Sequence, residues 1–130
     1  KYPLVAQAIW MLDDFTASNG ATQIVTGSHL MDEADALEAP SHPALGPAGS
    51  CLVYDGRLLH AAPTNTTDRS RTAILAYYSR SWIRQQENFS QSLTKNVQAS
   101  FSASRRRLLG LEFCGHANMV VGPPAGRERY

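Results

Sequence analysis

The sequence predicts a mainly β fold, either a β-sandwich or a jelly roll, with one helix near the C-terminus. Short apolar runs recur along residues 5–79, and clusters of Gly, Pro, Asn and Asp separate them. After Arg80 the chain becomes polar, and apolar residues then recur at helical spacing from Leu93. A chain of 130 residues has the size of one domain, so we assign residues 1–130 to a single domain.

The first part of the chain contains two predicted strands. Residues 5–12 are apolar on both faces apart from Gln7, and their Val, Ile and Trp content favours a buried strand. Residues 13–21 include the turn dipeptide Asn19–Gly20, and residues 22–25 form a short second strand. We therefore expect these two strands to form an antiparallel pair.

The middle of the chain alternates loops and strands. Residues 31–39 can form one or two helical turns, and residues 40–50, with three prolines, form a surface loop. The stretches 51–54 and 57–61 are either two strands around a tight Asp55–Gly56 turn or one bent strand.

The last strand and the helix are predicted in sequence after a loop at residues 62–70. Residues 72–79 give the strongest strand signal of the chain. Ser92 or Thr94 can cap the helix and Gly110 can end it, with one apolar face formed by Leu93, Val97, Phe101 and Leu108.

Composition excludes several classes of protein. The net charge is +1, which points to neither a nucleic-acid nor a membrane partner. No apolar run approaches the roughly 20 residues of a membrane span, and no signal peptide is visible, so we expect a cytoplasmic location. The two cysteines, Cys51 and Cys114, are far apart, which argues against a zinc cluster and against a disulfide scaffold.

His60 and Arg71 are the most informative residues. His60 closes one apolar run and Arg71 opens the next, so we expect their strands to lie side by side and both side chains to face one pocket. Imidazole binds transition metals, and the guanidinium suits two-point capture of a carboxylate. Under the alternative interpretation, His60 is a half-buried strand-end histidine and Arg71 pairs with Asp55 or Asp68.

The chain lacks the other ligands of such an iron site. Non-haem Fe(II) oxygenases use two histidines and one carboxylate, and leave positions open for a 2-oxo acid and oxygen. A carboxylate two residues after a histidine would supply the missing pair. None of the four histidines is followed in this way (His29, His42, His60 and His116).

Three groups of residues together resemble the phytanoyl-CoA dioxygenase family. The first runs from Gln7 to Thr16 and continues through Asn19–Gly20–Ala21 and Gly27–Ser28–His29. The second is Asp55–Gly56–Arg57–Leu58–Leu59–His60 with Asn65 and Arg71. The third comprises Trp82 to Asn88 and Arg107–Leu108–Leu109–Gly110.

This resemblance implies a fold and a chemistry. The expected fold is a partial double-stranded β-helix, a cupin-like jelly roll, with a C-terminal helix. The expected cofactors are Fe(II) and 2-oxoglutarate, used with O₂ to hydroxylate a small-molecule substrate. By position, His60 is the second histidine ligand and Arg71 holds the distal carboxylate of 2-oxoglutarate. The sequence departs from the family at Thr26, in place of proline, and at Ala62, in place of serine.

The missing His-x-Asp leads to the main hypothesis and its alternatives. We expect a C-terminal portion of a dioxygenase that binds no cofactor tightly on its own, since metal affinity rests on ligand count. The first alternative is a non-enzymatic β-sandwich module that forms a homo-oligomer through exposed strand edges. The second is a cupin-like protein that binds a small carboxylate through Arg71 without a metal.

Four further groups have a structural interpretation that outweighs a functional one. His29 is expected to be a loop residue near the pocket mouth, and Asp13–Asp14 to cap the turn after the first strand. Cys114 and His116 could bind a metal weakly. Residues 105–107, three consecutive arginines, form either the charged C-terminal turn of the helix or a phosphate or CoA-like site.

Overall fold

The computed structural model describes residues 2–112, and the chain divides into two compact units, Lys1–Ser79 and Arg80–Tyr130. The first unit contains six strands in two sheets, and the described part of the second contains only short helices. The prediction of a mainly β chain with few helical turns is therefore confirmed. Within residues 2–112, no helix is long and apolar enough to cross a membrane.

The larger sheet is built around the first strand. Strand β1, Val5–Met11, lies between β4, Cys51–Asp55, and β6, Ala73–Ser79, and both partners are antiparallel to it. Seven residue pairs join β1 to β6, from Val5 opposite Ser79 to Met11 opposite Ala73. The strand predicted from the apolar run in residues 5–12 is present, but it was expected to be buried on both faces, and Trp10 is 47% exposed.

The smaller sheet is short. Strand β2, Gln23–Ile24, lies between β3, His42–Pro43, and β5, His60–Ala61, again with antiparallel neighbours. Between β2 and β3, a 3₁₀ turn covers Ser28–Leu30 and helix α1 covers Glu33–Glu38. Each pairing in this sheet joins two residues of each strand, so loop contacts must also hold these strands in place.

The buried core draws on both sheets. Its largest side chain is Phe15, which is 2% exposed and lies just after β1. The other buried members are Ile9, Met11, Ala21, Tyr54 and Leu58, and Ile24 of β2 packs against them. Burial of a side chain the size of Phe15 contributes about 1.5–3 kcal/mol, so this cluster stabilises the first unit.

Two predicted strand pairings are wrong. β1 and β2 lie in different sheets, as do β4 and β5, so neither Asn19–Gly20 nor Asp55–Gly56 forms a hairpin. Hairpin turns of the Asn-Gly type need positive φ at both central residues. Asn19 and Asp55 do not have positive φ, and neither does Gly56. Each loop instead carries the chain from one sheet to the other.

The outer face of the larger sheet is apolar and exposed. Residues directly opposite each other in paired strands share a face. Trp10 is opposite both Cys51 and Ile74, and Val53 lies on the same face because it pairs with Ala8. The exposed fractions are 47% for Trp10, 66% for Val53 and 54% for Ile74. We call Trp10, Val53 and Ile74 the outer apolar face.

Between residues 80 and 112, the second unit holds three short helices where one longer helix was predicted. They are α2, Phe89–Ser92, α3, Lys95–Ala99, and α4, Ala103–Leu108. The Thr94 side chain caps α3 as predicted, and the Ser102 side chain caps α4. Ser102 in this role explains the break, because a serine that binds the N–H three residues later favours a helix start over a helix interior.

Candidate functional site

The His60 ring has one nitrogen engaged and one free. Its Nδ1 lies 2.8 Å from the carbonyl oxygen of Leu58. Because a carbonyl only accepts hydrogen bonds, Nδ1 carries the proton and the lone pair is on Nε2. Within residues 2–112, Nε2 has no hydrogen-bond partner. Histidine ligands to metals are held in this way, with one nitrogen bound to a carbonyl and the other available to the metal.

Tyr54 fixes the plane of this ring. The Tyr54 and His60 ring centroids are 5.0 Å apart at an interplanar angle of 62°, a T-shaped contact. The Tyr54 hydroxyl in turn donates to Oε1 of Gln7 on β1 at 3.2 Å. Burial raises the pKa of Tyr54 above its usual 10.0, so the hydroxyl stays protonated and remains a donor. His60 is thereby connected to the central strand of the larger sheet.

The backbone before His60 is held by the segment after β2. Val25 donates its N–H to the Leu59 carbonyl at 2.9 Å. The N–H of Leu59 donates to Oγ of Ser28 at 2.7 Å. Gly27, between Val25 and Ser28, has a φ of +84°. This left-handed conformation turns the chain and brings the Ser28 hydroxyl toward the Leu59 backbone. Ser28 is 6% exposed, so water does not compete for this contact.

Arg71 is half-buried and held from two directions. Its guanidinium carbon lies 4.1 Å from the centroid of the buried Phe15 ring, a cation–π contact. Its Nε donates to the backbone carbonyl of Asn19 at 3.2 Å. Within residues 2–112, Nη1 and Nη2 have no partner, whereas two terminal guanidinium nitrogens are the donors that bind a carboxylate.

The aspartates suggested as protein partners of Arg71 do not pair with it. Asp55 forms an ion pair with Arg57 at 2.8 Å instead. The side-chain hydrogen bond from Arg57 lowers the pKa of Asp55, with a further contribution from the Arg57 backbone N–H. Asp68 forms no ion pair within the described residues. Arg71 is thus available to an external anion.

The loops around Arg71 are tied to each other. Thr66 donates both its N–H and its hydroxyl to the Ser18 carbonyl, at 2.9 and 2.8 Å. Asp13 accepts the N–H of Thr72 at 2.7 Å, directly after Arg71. Asp14 accepts the N–H of Ala48 at 2.8 Å. Both carboxylates thus accept from segments far along the chain and not from the turn that follows β1, and Asp13 also fixes the chain at Arg71.

The strands next to His60 and Arg71 lie in different sheets, so the prediction that these strands are neighbours is wrong. His60 is on β5, an edge strand of the smaller sheet, and Arg71 comes two residues before β6, an edge strand of the larger sheet. In the described part of the chain, no three His, Cys, Asp or Glu side chains lie together as metal ligands. The residues present fit one histidine ligand and one carboxylate clamp, and they do not supply the other two ligands.

His29 lies on the other side of the His60 segment. It lines an open cavity of about 320 Å³ together with Arg57 and Leu59, which alternate along the chain with Leu58 and His60. Its Nδ1 is buried without a hydrogen-bond partner among residues 2–112. The expectation that His29 lies near the mouth of the His60 pocket therefore finds no support in this arrangement.

The remaining candidates are structural where the structure describes them. Arg106 pairs with Glu112 at 2.6 Å and donates to the Gln98 carbonyl, and Arg105 lies over the Phe101 ring. These contacts agree with a charged C-terminal helical turn. Cys51 is an exposed free thiol. Cys114 and His116 lie outside the described residues.

Three residues of the site were not assigned a role from the sequence. Ser28 and Phe15 belong to segments that carry the family resemblance, but their partners, Leu59 and Arg71, are distant in sequence. Tyr54 lies in a predicted strand and was assigned only to its apolar run. The sequence did place Tyr54 in a predicted strand shortly before His60, and this position was the available indication that the two rings could be in contact.

The sequence profile of one family, phytanoyl-CoA dioxygenase (PhyH), matches residues 1–73. Among curated proteins, a protein named dioxygenase af480 from Aspergillus fumigatus is 35% identical over 116 residues, which are 83% of this chain and 37% of that protein. The multifunctional dioxygenase prhA from Penicillium brasilianum is 34% identical over 74% of this chain and 35% of its own length. The chain thus spans little more than a third of these relatives.

Solved structures show the same relationship. AviO1 from Streptomyces viridochromogenes has a TM-score of 0.57 and 28% identity, over 62% of this chain and 39% of its own. The non-haem α-ketoglutarate-dependent epimerase SnoN, from nogalamycin biosynthesis, has a TM-score of 0.53 and 29% identity, over 56% of this chain and 30% of its own. These similarities confirm the predicted fold class, a partial jelly roll.

Proposed function

The chain belongs to the phytanoyl-CoA dioxygenase family. We propose that it provides part of the active site of an Fe(II)- and 2-oxoglutarate-dependent hydroxylase, with His60 as a metal ligand and Arg71 as the residue that binds the 2-oxoglutarate carboxylate. The observation that carries this proposal is the state of the two side chains. His60 keeps Nε2 free for a metal, and Arg71 keeps two terminal nitrogens free for a carboxylate. Iron at such a site supplies activation of O₂ with 2-oxoglutarate as co-substrate.

His60 acts in this proposal as an oriented neutral ligand. Its Nδ1 proton is committed to the Leu58 carbonyl, which prevents the ring from presenting that nitrogen. The Tyr54 ring limits rotation about the side chain. A ligand whose tautomer and plane are set before the metal binds loses less conformational freedom on binding.

Arg71 acts as the carboxylate clamp. The Phe15 ring sets the plane of the guanidinium, and the Asn19 carbonyl holds Nε, so Nη1 and Nη2 remain for the far carboxylate of 2-oxoglutarate. A lysine could not reproduce this arrangement, since its ammonium is a point charge without a planar fork.

We infer that residues 1–130 alone do not bind iron tightly. The described residues supply one of the three protein ligands that this class of site needs. These relatives are more than twice as long, and we propose that the other two ligands lie in a segment that corresponds to their unmatched part.

The first test is a calorimetric titration of the 130-residue chain with Mn(II), as an oxygen-stable substitute for Fe(II), with and without 2-oxoglutarate. We expect no stoichiometric tight binding. One-to-one binding in the micromolar range that His60→Ala abolishes would overturn the inference of an incomplete ligand set.

The second test uses the protein expressed with whatever coding sequence lies upstream of Lys1. We expect Fe(II)-dependent conversion of 2-oxoglutarate to succinate, lost in both His60→Ala and Arg71→Gln. If either variant still converts 2-oxoglutarate to succinate, the substituted residue is not part of the active site as proposed.

A second candidate function is a non-enzymatic module that self-associates, and the outer apolar face favours it. Trp10, Val53 and Ile74 form an exposed apolar surface on the larger sheet, and β6 has a partner on only one side within residues 2–112. An apolar edge strand of seven residues is a favourable surface for pairing with a second chain. We therefore propose a homo-oligomer, which light scattering at micromolar concentration would refute by showing a monomer.

A third candidate, a metal-free carboxylate binder, rests on the free guanidinium nitrogens of Arg71. It predicts that 2-oxoglutarate raises the unfolding temperature of the chain in the presence of EDTA. If 2-oxoglutarate has no effect without metal, this third candidate is excluded.

A further inference from the structure

We propose that Ser28 is a positioning residue for His60, acting through the peptide group between Leu58 and Leu59. This inference rests on the proposed role of His60 as a metal ligand. The two atoms that the peptide exposes are both engaged. Its N–H donates to Ser28 Oγ at 2.7 Å, and its carbonyl accepts from His60 Nδ1 at 2.8 Å.

One rigid group therefore connects the serine to the imidazole. A trans peptide is planar, and its N–H and C=O point in opposite directions. No peptide of the described chain is cis. If the N–H is fixed by Ser28, the direction of the Leu58 carbonyl is fixed as well. The nitrogen of His60 that carries the proton is then determined by a residue 32 positions earlier, in the 3₁₀ turn that follows β2.

The short length of β5 makes this contact necessary. Only two residue pairs join β2 to β5, Gln23 with Ala61 and Ile24 with His60. The ladder would normally continue with the backbone of the residues after Ile24, but the chain turns away at Gly27. Val25 still binds the Leu59 carbonyl. The Ser28 hydroxyl then takes the N–H of Leu59, which would otherwise be left without a partner beside a buried core.

The connection also changes the electronic character of the imidazole. Hydrogen bonds in a chain polarise one another, so an acceptor at the Leu59 N–H makes the Leu58 carbonyl a stronger acceptor. A stronger acceptor at Nδ1–H increases electron density at Nε2, the nitrogen assigned to the metal. Ser28 thus affects both the tautomer of His60 and the electron density at its Nε2 without contacting the ring.

The experiment uses the 130-residue chain without metal. Ser28→Ala removes the acceptor, Ser28→Thr keeps a hydroxyl, and Thr26→Ala removes a hydroxyl from an exposed position of the same segment as a matched control. Two signals are read by NMR: hydrogen exchange of the Leu59 amide, and the ¹⁵N shifts of the His60 ring, which report its tautomer.

In Ser28→Ala we expect the Leu59 amide to exchange about threefold to tenfold faster, as expected for the loss of one hydrogen bond. We also expect His60 to shift from the Nδ1–H tautomer toward the Nε2–H tautomer. Ser28→Thr and Thr26→Ala should keep the wild-type values of both signals. A merely structural role of Ser28 would alter stability without altering the tautomer.

Unchanged His60 tautomer in folded Ser28→Ala would overturn the proposal. If Ser28→Ala does not fold, Ser28→Cys replaces it, because sulfur is a weaker acceptor of similar size. In Ser28→Cys the Leu59 amide should then exchange faster than in wild type, and the His60 tautomer ratio should lie between those of free histidine and wild type. Wild-type values of both signals would overturn the proposal. Because no metal is present, this result does not depend on the proposed function, which the conversion of 2-oxoglutarate to succinate by the longer protein and its His60→Ala and Arg71→Gln variants tests separately.

Discussion

At the scale of single residues, His60 and Arg71 are held by different means. His60 is exposed, and its orientation depends on hydrogen bonds to backbone and on one ring contact. Arg71 is half-buried, and its orientation depends on the buried Phe15 ring. Substitutions near His60 should therefore affect metal binding more than the free energy of unfolding. Substitutions at Arg71 should affect both carboxylate binding and the free energy of unfolding.

Arg71→Gln should destabilise the first unit by about 1–2 kcal/mol, because it removes a cation–π contact and a hydrogen bond to the Asn19 carbonyl. Urea unfolding measures this change. Arg69→Gln is the matched control, since it removes the same charge from an exposed position of the same loop. Equal stability of the two variants would show that the Phe15 contact does not hold Arg71.

Asp55 gives a prediction about pH. The Arg57 side-chain hydrogen bond lowers the folded-state pKa of Asp55, so the pair stabilises the fold above the unfolded value of about 3.9. That stabilisation is lost as the pH falls below about 4 toward the folded-state pKa. The difference in unfolding temperature between wild type and Asp55→Asn should be constant from pH 7 to 5 and shrink below pH 4. A difference that grows on acidification would contradict this assignment.

The sequence was sufficient to select His60 and Arg71 as candidates but not to find the residues that hold them. An imidazole and a guanidinium are rare and chemically distinct, so their positions stand out without a structure. Ser28 and Phe15 act only through contacts with residues far along the chain, at Leu59 and Arg71. Contacts of this kind depend on the strand order, which local sequence does not specify.

At the scale of elements, the loops that cross between the sheets carry the site. The turn at residues 16–20 and the loop at residues 62–70 are joined by the two Thr66 hydrogen bonds to Ser18. They also pack closely at Gly20, which has a φ of +76°. The backbone of Pro63 and Asn65 occupies the space where a side chain at position 20 would lie.

Gly20→Ala should therefore be among the most damaging small substitutions. A Cβ there would lie 2.8 Å from the Pro63 carbonyl oxygen, in addition to the strain of positive φ. We expect a loss of about 2–4 kcal/mol. Gly49→Ala is the control, with a φ of +88° and nothing within 4 Å, and should cost about 1 kcal/mol. Equal losses in denaturant unfolding would show that the loops do not pack at Gly20.

Element positions were predicted better than element partners. The apolar runs at 51–54 and 72–79 correspond to β4 and β6, because a strand with a buried face needs local apolar residues. The partners were wrong, because a turn dipeptide predicts a change of direction and not which sheet the chain enters. Asp55 shows the difference: its side chain accepts the N–H of Arg57, which closes a turn without pairing the flanking strands.

At the scale of the whole molecule, the larger sheet has two apolar faces. On the inner face Ile9 and Met11 are buried but Leu75, opposite Ile9, is exposed, and the outer apolar face is exposed on all three strands. Soluble monomers rarely leave such a contiguous apolar surface uncovered. This supports contact with another polypeptide segment, either from the same protein or from a second copy.

Ile74→Lys should reduce any self-association through this face, because it places a charge beside Trp10 at the centre of the apolar surface. Sedimentation or light scattering across a concentration series measures the effect. Ala34→Lys adds the same charge on the exposed side of helix α1 and should leave association unchanged. An oligomer that persists in Ile74→Lys with the wild-type dissociation constant would place the interface elsewhere.

The central position of β1 also determines when the larger sheet can form during synthesis. β1 is made first, yet its longest pairing is with β6, the last strand of the first unit. At a translation rate of ~5–20 residues per second, roughly 4–15 s pass between the synthesis of β1 and the synthesis of β6. Sheets that rely on such long sequence separations fold slowly. A nascent chain halted before residue 73 would thus expose one edge of β1, and is the form most in need of a chaperone.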